Sequence, residues 1–202
     1  DLPMVYNGQI SPGDRDRFRF RAKKGQNLVI GARARDLVPY LPDAVPGWFQ
    51  AVLTLYDAEG NEVAYADDWQ HNPDPVLVYQ VPRDGEYAIE IRDALFRGRE
   101  DFVYRLFAGE IPFITHLFPL GGTVGMATSA TISGWNLPTK QVMLDTSPGE
   151  NVIRWVSVSR DGIPSNNAAY MVDTLRSVDE SEPNDATTQA VSLALPVAVN
   201  GR

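Results

Sequence analysis

Glycine and proline interrupt this chain along its whole length, with sixteen glycines and fifteen prolines in 202 residues. Glycine and proline at this frequency favour short strands and tight turns over long helices. Between the interruptions, apolar and polar residues alternate. Phe18 and Phe20 alternate with Arg17, Arg19 and Arg21, which predicts a half-buried strand with a basic outer face. The pattern therefore indicates an all-β protein.

The first 110 residues contain roughly eight such segments with short connections between them. The clearest are residues 17–22, 28–32, 49–56, 63–66, 76–81, 87–91 and 102–107. No helical periodicity accompanies them. This arrangement predicts an antiparallel sandwich or a jelly roll over residues 1–111.

The amino-acid composition changes after Pro112, where small residues and glycines become frequent. Strands are expected at residues 130–133, 141–144, 151–159 and 168–172. They predict a second, smaller β-sandwich over residues 112–174. Residues 175–202 are then expected to form an acidic linker and the first strand of a following, truncated repeat. The repeat is visible because Leu2-Pro3-Met4-Val5-Tyr6-Asn7-Gly8-Gln9 resembles Leu195-Pro196-Val197-Ala198-Val199-Asn200-Gly201-Arg202.

Composition excludes several classes of function. The net charge of −8 and the pI near 4.7 disfavour binding to nucleic acid or to anionic membranes, whereas they suit divalent cations. Cysteine is absent, which excludes disulfides, thiolate metal sites and a cysteine nucleophile. No apolar run reaches the roughly 20 residues of a membrane helix, so membrane insertion is not expected. The opening Asp1-Leu2-Pro3 suggests a fragment of a longer chain.

Catalytic constellations are weak. His71 and His116 fall in different predicted domains, and neither a Gly-x-Ser-x-Gly nor a His-Glu-x-x-His motif is present. Asp67 and Asp68, with Asp74, form the one tempting cluster of carboxylates that could act as acid and base. Adjacent strand residues point to opposite faces, so these carboxylates are expected first to stabilise turns, second to bind calcium, and last to act in catalysis. The chain is not expected to be an enzyme.

The first domain resembles the bacterial pre-peptidase C-terminal domain, a jelly-roll module related to collagen-binding modules of collagenases. The matching residues are Asn7-Gly8-Gln9-Ile10, Gly13-Asp14-Arg15-Asp16-Arg17-Phe18-Arg19-Phe20, Ala22, Gly25, Leu53-Thr54-Leu55-Tyr56-Asp57, Gly60, Ala66-Asp67-Asp68, Asp74-Pro75-Val76-Leu77-Val78-Tyr79, Asp84-Gly85-Glu86-Tyr87 and Ile91-Arg92-Asp93. The resemblance implies an accessory part of a secreted peptidase or another exoprotein.

Calcium ligands are also implied. Asp14 and Asp16 lie two apart at the entry to a strand, so their side chains can point the same way, and calcium takes six to eight oxygens. The resemblance places a carboxylate ligand there and pairs it with an acidic lead-in. The lead-in residues are Glu180, Glu182, Asn184 and Asp185. The plain alternatives are a solvated turn and a flexible acidic linker.

The middle region resembles an immunoglobulin-like domain of the type found in plexins and transcription factors. The matching pieces are Pro112-Phe113-Ile114, Phe118-Pro119-Leu120-Gly121-Gly122, Ile132-Ser133-Gly134-Trp135-Asn136-Leu137 and Ser165-Asn166-Asn167-Ala168-Ala169. The combination of the two modules resembles large surface proteins of planctomycete-type bacteria.

Aromatic residues on predicted loops supply a second hypothesis. Trp48 and Trp69, with Tyr40, are candidates for stacking on a ligand, whereas Trp155 is expected in the core. The apolar segment 37–48 is longer than the family resemblance implies. The function predicted first is a non-catalytic accessory or adhesion module of a secreted or cell-surface protein, stiffened by calcium and contacting other domains of the same polypeptide. The alternative is a module that binds a polysaccharide or an extracellular protein; a hydrolase fragment comes last.

Overall fold

The alternating segments of the sequence form strands, as a computed structural model that describes residues 2–38 and 47–201 shows. Strand residues make up 51% of the structure, and the described residues contain no α-helix. The prediction of an all-β fold is therefore confirmed. The chain divides into two units, Asp1–Ile111 and Pro112–Arg202, and each is described by itself.

The described part of the first unit contains eight strands, and each predicted segment coincides with one of them. They are β1 (Met4–Gln9), β2 (Arg15–Ala22), β3 (Asn27–Arg33), β4 (Ala51–Tyr56), β5 (Glu62–Ala66), β6 (Val76–Gln80), β7 (Gly85–Asp93) and β8 (Val103–Gly109).

These strands form two antiparallel sheets with the orders β1-β8-β3-β6 and β2-β7-β4-β5. Successive strands cross from one sheet to the other, except that β4 and β5 are neighbours in the same sheet. Eight strands connected in this way form a jelly roll. Strand β2 therefore lies at the edge of its sheet. The side chains on its outer face are exposed along the whole strand.

The core of the first unit lies between the two sheets. In β2, Phe20 is buried and Phe18 is half-buried, while Arg17, Arg19 and Arg21 are exposed. Phe20 lies opposite Tyr87 of β7, with their ring centroids 6.1 Å apart. Leu28 and Ile91 have no exposed surface. The basic outer face predicted for this strand is therefore confirmed.

The second unit begins with two three-stranded sheets, β12-β11-β9 and β10-β16-β13. Its strands are β9 (Phe113–Phe118), β10 (Gly121–Thr123), β11 (Thr128–Trp135), β12 (Gln141–Leu144), β13 (Ile153–Val156), β14 (Ser159–Arg160), β15 (Ile163–Pro164), β16 (Ala168–Asp173), β17 (Arg176–Asp179) and β18 (Val197–Asn200). Ala130, Ile132, Tyr170 and Val172 form the centre of its core. The immunoglobulin-like type of this sandwich stays a prediction.

Strand β10 runs parallel to β16 and approaches it closely. A Cβ atom on Gly121 would overlap the carbonyl oxygen of Met171, so only glycine allows the two backbones to come this near. The Leu120 carbonyl accepts a hydrogen bond from the Met171 N–H at 2.8 Å. The sequence signal for β10 is only the glycine pair, which explains why this strand was not predicted.

Two expectations for the segment 151–159 were wrong. The segment does not form one strand, since β13 ends at Val156 and the short β14 follows. Trp155 is not in the core, because its side chain is 63% exposed. Ile153, on the same face of the strand, is 57% exposed. The cause is Arg154, whose guanidinium turns inward and donates to the carbonyls of Asp145 and Ser147 at 2.8 and 2.5 Å. Its orientation fixes the phase of the strand and sends Trp155 outward.

The acidic segment contains ordered pairing that the sequence did not indicate. Strand β17 pairs in parallel with β18, from Arg176 opposite Val197 to Asp179 opposite Asn200. The N–H of Glu180 continues the ladder by donating to the Asn200 carbonyl at 2.9 Å. The strand β18 lies in the repeat predicted from the sequence, which begins at Leu195.

We expect residues 1–111 to fold without the rest of the chain, because this unit holds both complete sheets of the jelly roll and its own core. The fragment should give a β-rich circular dichroism spectrum and one cooperative thermal transition. Residues 1–95, which lack β8 from the middle of the first sheet, serve as the control and should not fold. An unfolded 1–111 fragment would contradict the boundary.

Candidate functional site

Asp14 and Asp16, the first candidate calcium ligands, lie at the start of β2. Asp14 is exposed, and its Oδ1 accepts the N–H of Arg15 at 2.8 Å. Asp16 is half-buried, and its Oδ2 accepts the hydroxyl of Tyr104 at 2.5 Å. One carboxylate is therefore free to meet solvent, while the other is fixed by a partner from β8.

Tyr104 is suited to fix Asp16. Its side chain is 1% exposed, and burial raises the pKa of the phenol, with further contributions from the hydrogen bond to Asp16 and its negative charge. The hydroxyl therefore stays protonated and remains a donor. Gly8 on the neighbouring strand β1 leaves the room for this ring, because a Cβ there would overlap the Tyr104 phenol.

The acidic lead-in folds around its asparagine. The Asn184 N–H donates to Glu182 Oε2 at 2.9 Å, and the Asn184 side-chain amide donates to Glu180 Oε2 at 3.1 Å. The Glu180 carboxylate also lies against Gly201, directly after β18. Asp185 is exposed. The structure thus brings Glu180, Glu182 and Asn184 together, and leaves Asp185 outside.

Calcium takes six to eight oxygen ligands, and each candidate set offers too few. Among the residues described, no group of three acidic or histidine side chains is arranged to hold a metal ion. Asp14 and Asp16 supply two carboxylates, one already engaged by Tyr104. In the lead-in, Asn184 presents its amide nitrogen to Glu180, which opposes the orientation that a cation requires. Neither set by itself fits a complete calcium site.

The acidic group of Asp67, Asp68 and Asp74 separates into two environments. Asp67 and Asp68 are exposed. Asp74 is 5% exposed, and its carboxylate accepts three backbone N–H groups, from Ala34 at 3.1 Å and from Arg35 and Asp36 at 2.8 and 3.0 Å. Asp74 therefore stabilises the turn after β3. Both oxygens of this carboxylate are engaged by backbone donors, which suits a structural role.

Asp93, at the end of β7, is a second buried carboxylate, and the sequence had not singled it out as a site. It has no exposed surface. It accepts the N–H groups of Gln50, Leu95 and Arg97 at 3.1, 2.9 and 3.0 Å, and the Arg97 guanidinium at 3.0 Å. Burial alone would raise the pKa of Asp93, but the bonds from the Arg97 side chain and the three N–H groups outweigh it and lower the pKa.

The aromatic candidates are less open than a stacking platform requires. Trp48 is half-buried, and the Arg35 guanidinium lies 4.6 Å from its ring centroid, which covers one face. Its carbonyl accepts Arg97 at 3.0 Å. Trp69 is half-buried and forms a turn in which its backbone pairs with that of Asn72. Tyr40, with most of the segment 37–48, lies outside the described residues.

The histidines do not assemble a catalytic group within the described chain. His71 is exposed in a turn of the first unit. His116 is exposed on β9, where its Nδ1 lies 3.0 Å from the hydroxyl of Thr115. Separately, no helix among the described residues has the length and apolar character to cross a membrane.

Comparisons with known proteins find similar chains among curated sequences and among solved structures. A protein of Deinococcus radiodurans described as a probable subtilase-type serine protease is 35% identical over 80 residues, which is 40% of this chain. The chain spans about a tenth of that relative's length. No family model matches the chain.

One solved structure that is similar to the chain is the pre-peptidase C-terminal domain of a collagenase from Bacillus anthracis. The match covers 53% of this chain and 89% of the neighbour, with 14% identity and a TM-score of 0.38. Likeness at this level carries no argument about function.

Replacing Asp74 by alanine should destabilise the first unit by about 1.5–3 kcal/mol, because one buried and two partly buried N–H groups lose a charged acceptor. Asp68→Ala removes an exposed carboxylate of the same cluster and should change the free energy of unfolding by less than about 0.5 kcal/mol. Urea unfolding of both variants measures the difference. Equal effects would contradict the assignment of Asp74 to the turn.

Asp93 should make stability depend on acid pH. Its pKa in the folded state is below the ordinary value of 3.8, so its stabilising contribution is complete above pH 3.8 and is lost as pH falls through the folded pKa. Asp93→Asn should therefore lower the melting temperature most near neutral pH, and its difference from the parent protein should shrink on acidification. Asp68→Asn is the matched control. A difference that does not change with pH would contradict the prediction.

Proposed function

We propose that this chain is a non-catalytic accessory or adhesion module of an extracellular bacterial protein. The proposal rests on the hydrogen bonds and ion pairs that the buried carboxylates form within the protein. Asp74, Glu90 and Asp93 are the acidic side chains that are buried in the described residues. Each is engaged by backbone N–H groups or by arginine, so these potential catalytic groups serve to hold loops and strands together.

The relative in sequence is compatible with this role. An accessory module occurs beside other domains of one polypeptide, and the matched protein is a probable serine protease about ten times longer than the matched region. The extracellular location is proposed because the matched relative is described as a subtilase-type serine protease. The residues whose sequence resembles the pre-peptidase C-terminal domain, such as Gly13-Asp14-Arg15-Asp16, are in keeping with the same assignment. The partners proposed are the other domains of the polypeptide.

Calcium is the finer part of the proposal. Asp14 and Asp16 supply one group of oxygens, and Glu180, Glu182, Asn184 and Asp185 supply the other. The lead-in of one molecule would complete the turn of a neighbouring molecule and so form a set that neither half provides alone. Binding would require the Asn184 amide to rotate its oxygen toward Glu180. Calcium would then act by stiffening the joint between modules and would take no part in a reaction.

The test is thermal unfolding in calcium and in a chelator. Extracellular modules bind calcium with dissociation constants of about 10⁻⁴–10⁻³ M, so calcium at tenfold excess over that value should raise the melting temperature by roughly 3–6 °C. Asp16→Asn and Glu182→Gln should each reduce the shift, and Asp68→Asn should leave it unchanged. The absence of a shift would remove calcium from the proposal.

Absence of catalysis is tested on its own. Incubation of the chain with casein and with common polysaccharides should release no product above background. Product formation that a single His71→Ala or Asp68→Ala change abolishes would overturn the assignment as an accessory module.

A further inference from the structure

A row of basic side chains on β2 is the feature that the proposed function does not use. Residues 15–24 contain six arginines and lysines and one aspartate, although the chain carries a net charge of −8. Arg15, Arg17, Arg19 and Arg21 alternate with inward-facing residues, and all four are exposed. Alternate residues of an antiparallel strand lie about 7 Å apart, so the row extends along the outer face of the sheet.

Internal ion pairs neutralise only part of this row. Arg17 binds the buried Glu90 at 2.6 Å. Arg19 lies 3.6 Å from Glu86, but its side chain is 79% exposed and that of Glu86 is 49% exposed. An ion pair between side chains this exposed is weak, because solvent screens the attraction between the two charges. Arg19 therefore keeps most of its capacity to bind an external anion.

A cleft of about 340 Å³ opens at the middle of the row. Arg17 and Arg19 form one side, Tyr56 and Gly60 form another, and Glu86 and Ala88 contribute to the lining. Its volume falls within the roughly 300–1,000 Å³ of sites that bind small molecules. The Arg17 guanidinium lies 5.5 Å from the Tyr56 ring centroid, so Glu90 and Tyr56 together hold it in place. One arginine of the cleft is thus preorganised.

The chemistry of the lining selects a class of ligand. Guanidinium groups bind carboxylates through paired, charge-assisted hydrogen bonds, and an aromatic ring packs against the apolar face of a sugar. Glu86 provides acceptors for hydroxyl groups, whereas the carboxylate of Asp57 is already engaged by Glu59, Asn61 and Arg83. We propose that this cleft and the arginine row bind a polysaccharide built from sugar acids, with carboxylates on Arg19 and Arg21 and a sugar ring against the part of Tyr56 that the Arg17 guanidinium does not cover.

Other anionic polymers fit less well. Double-stranded DNA carries one charge per about 1.7 Å of axis, so the net charge of −8 opposes it far more than a sparsely charged glycan. An acidic peptide that adds to an edge strand pairs with its free backbone groups. The cleft instead lies on the face of the sheet, where it presents side chains.

The experiment is a calorimetric titration of the full chain with an oligogalacturonate, in a chelator so that calcium does not contribute. We expect saturable binding that weakens as salt increases and is lost with the methyl-esterified oligosaccharide. Arg19→Glu with Arg21→Glu should weaken binding at least tenfold without lowering the melting temperature, because both side chains are exposed. Lys140→Glu with Arg160→Glu changes the net charge equally in the second unit and should have no effect on binding.

Three results would overturn the proposal. They are no saturable binding, equal loss in the two double variants, and equally tight binding of polyglutamate that the β2 substitutions abolish. The last would identify a site for acidic peptides. Since the titration contains no calcium, its failure leaves the proposed accessory role untouched.

Discussion

A carboxylate that loses its contact with water stays charged only where hydrogen-bond donors replace that water, and this requirement organises the loops of the first unit. Asp93 receives donors from Gln50, Leu95 and Arg97, which ties the end of β7 to the entry of β4. Arg97 also holds the Trp48 carbonyl. Asp74 does the same for the turn after β3. Removal of either carboxylate would leave several buried N–H groups without an acceptor.

Alternation made most of the fold predictable, since it depends only on which residues avoid water. In β2 every second side chain is an arginine, so its phase was unambiguous. In β13 the segment Ile153-Arg154-Trp155-Val156 offered apolar residues to both faces, and the phase was decided by carbonyls that Arg154 reaches elsewhere. The strand β17 pairs with residues about twenty positions later, and no local pattern of the sequence reports that pairing.

The sequence showed which types of residue form the candidate sites, but it did not show what each residue does in the fold. Asp67, Asp68 and Asp74 looked alike in the sequence, but only Asp74 meets the N–H groups of residues about forty positions away. Trp48 appeared open because the sequence does not show that Arg35 covers its ring. Asp93 had a local signal that was not used, namely an arginine four residues after an aspartate at the end of a strand. The cleft beside Tyr56 arises from strands β2, β4 and β7, and therefore requires the fold.

The parallel pairing of β17 with β18 has a mechanical consequence. Both strands run in the same direction, so tension applied through the two ends of this pair slides one strand along the other and loads all its hydrogen bonds together. An antiparallel hairpin would instead open one bond at a time. The 17 residues between the strands, 180–196, carry no load until the pair slips. Their release would then lengthen the chain by roughly 55–60 Å, so four residue pairs control whether this segment extends under tension.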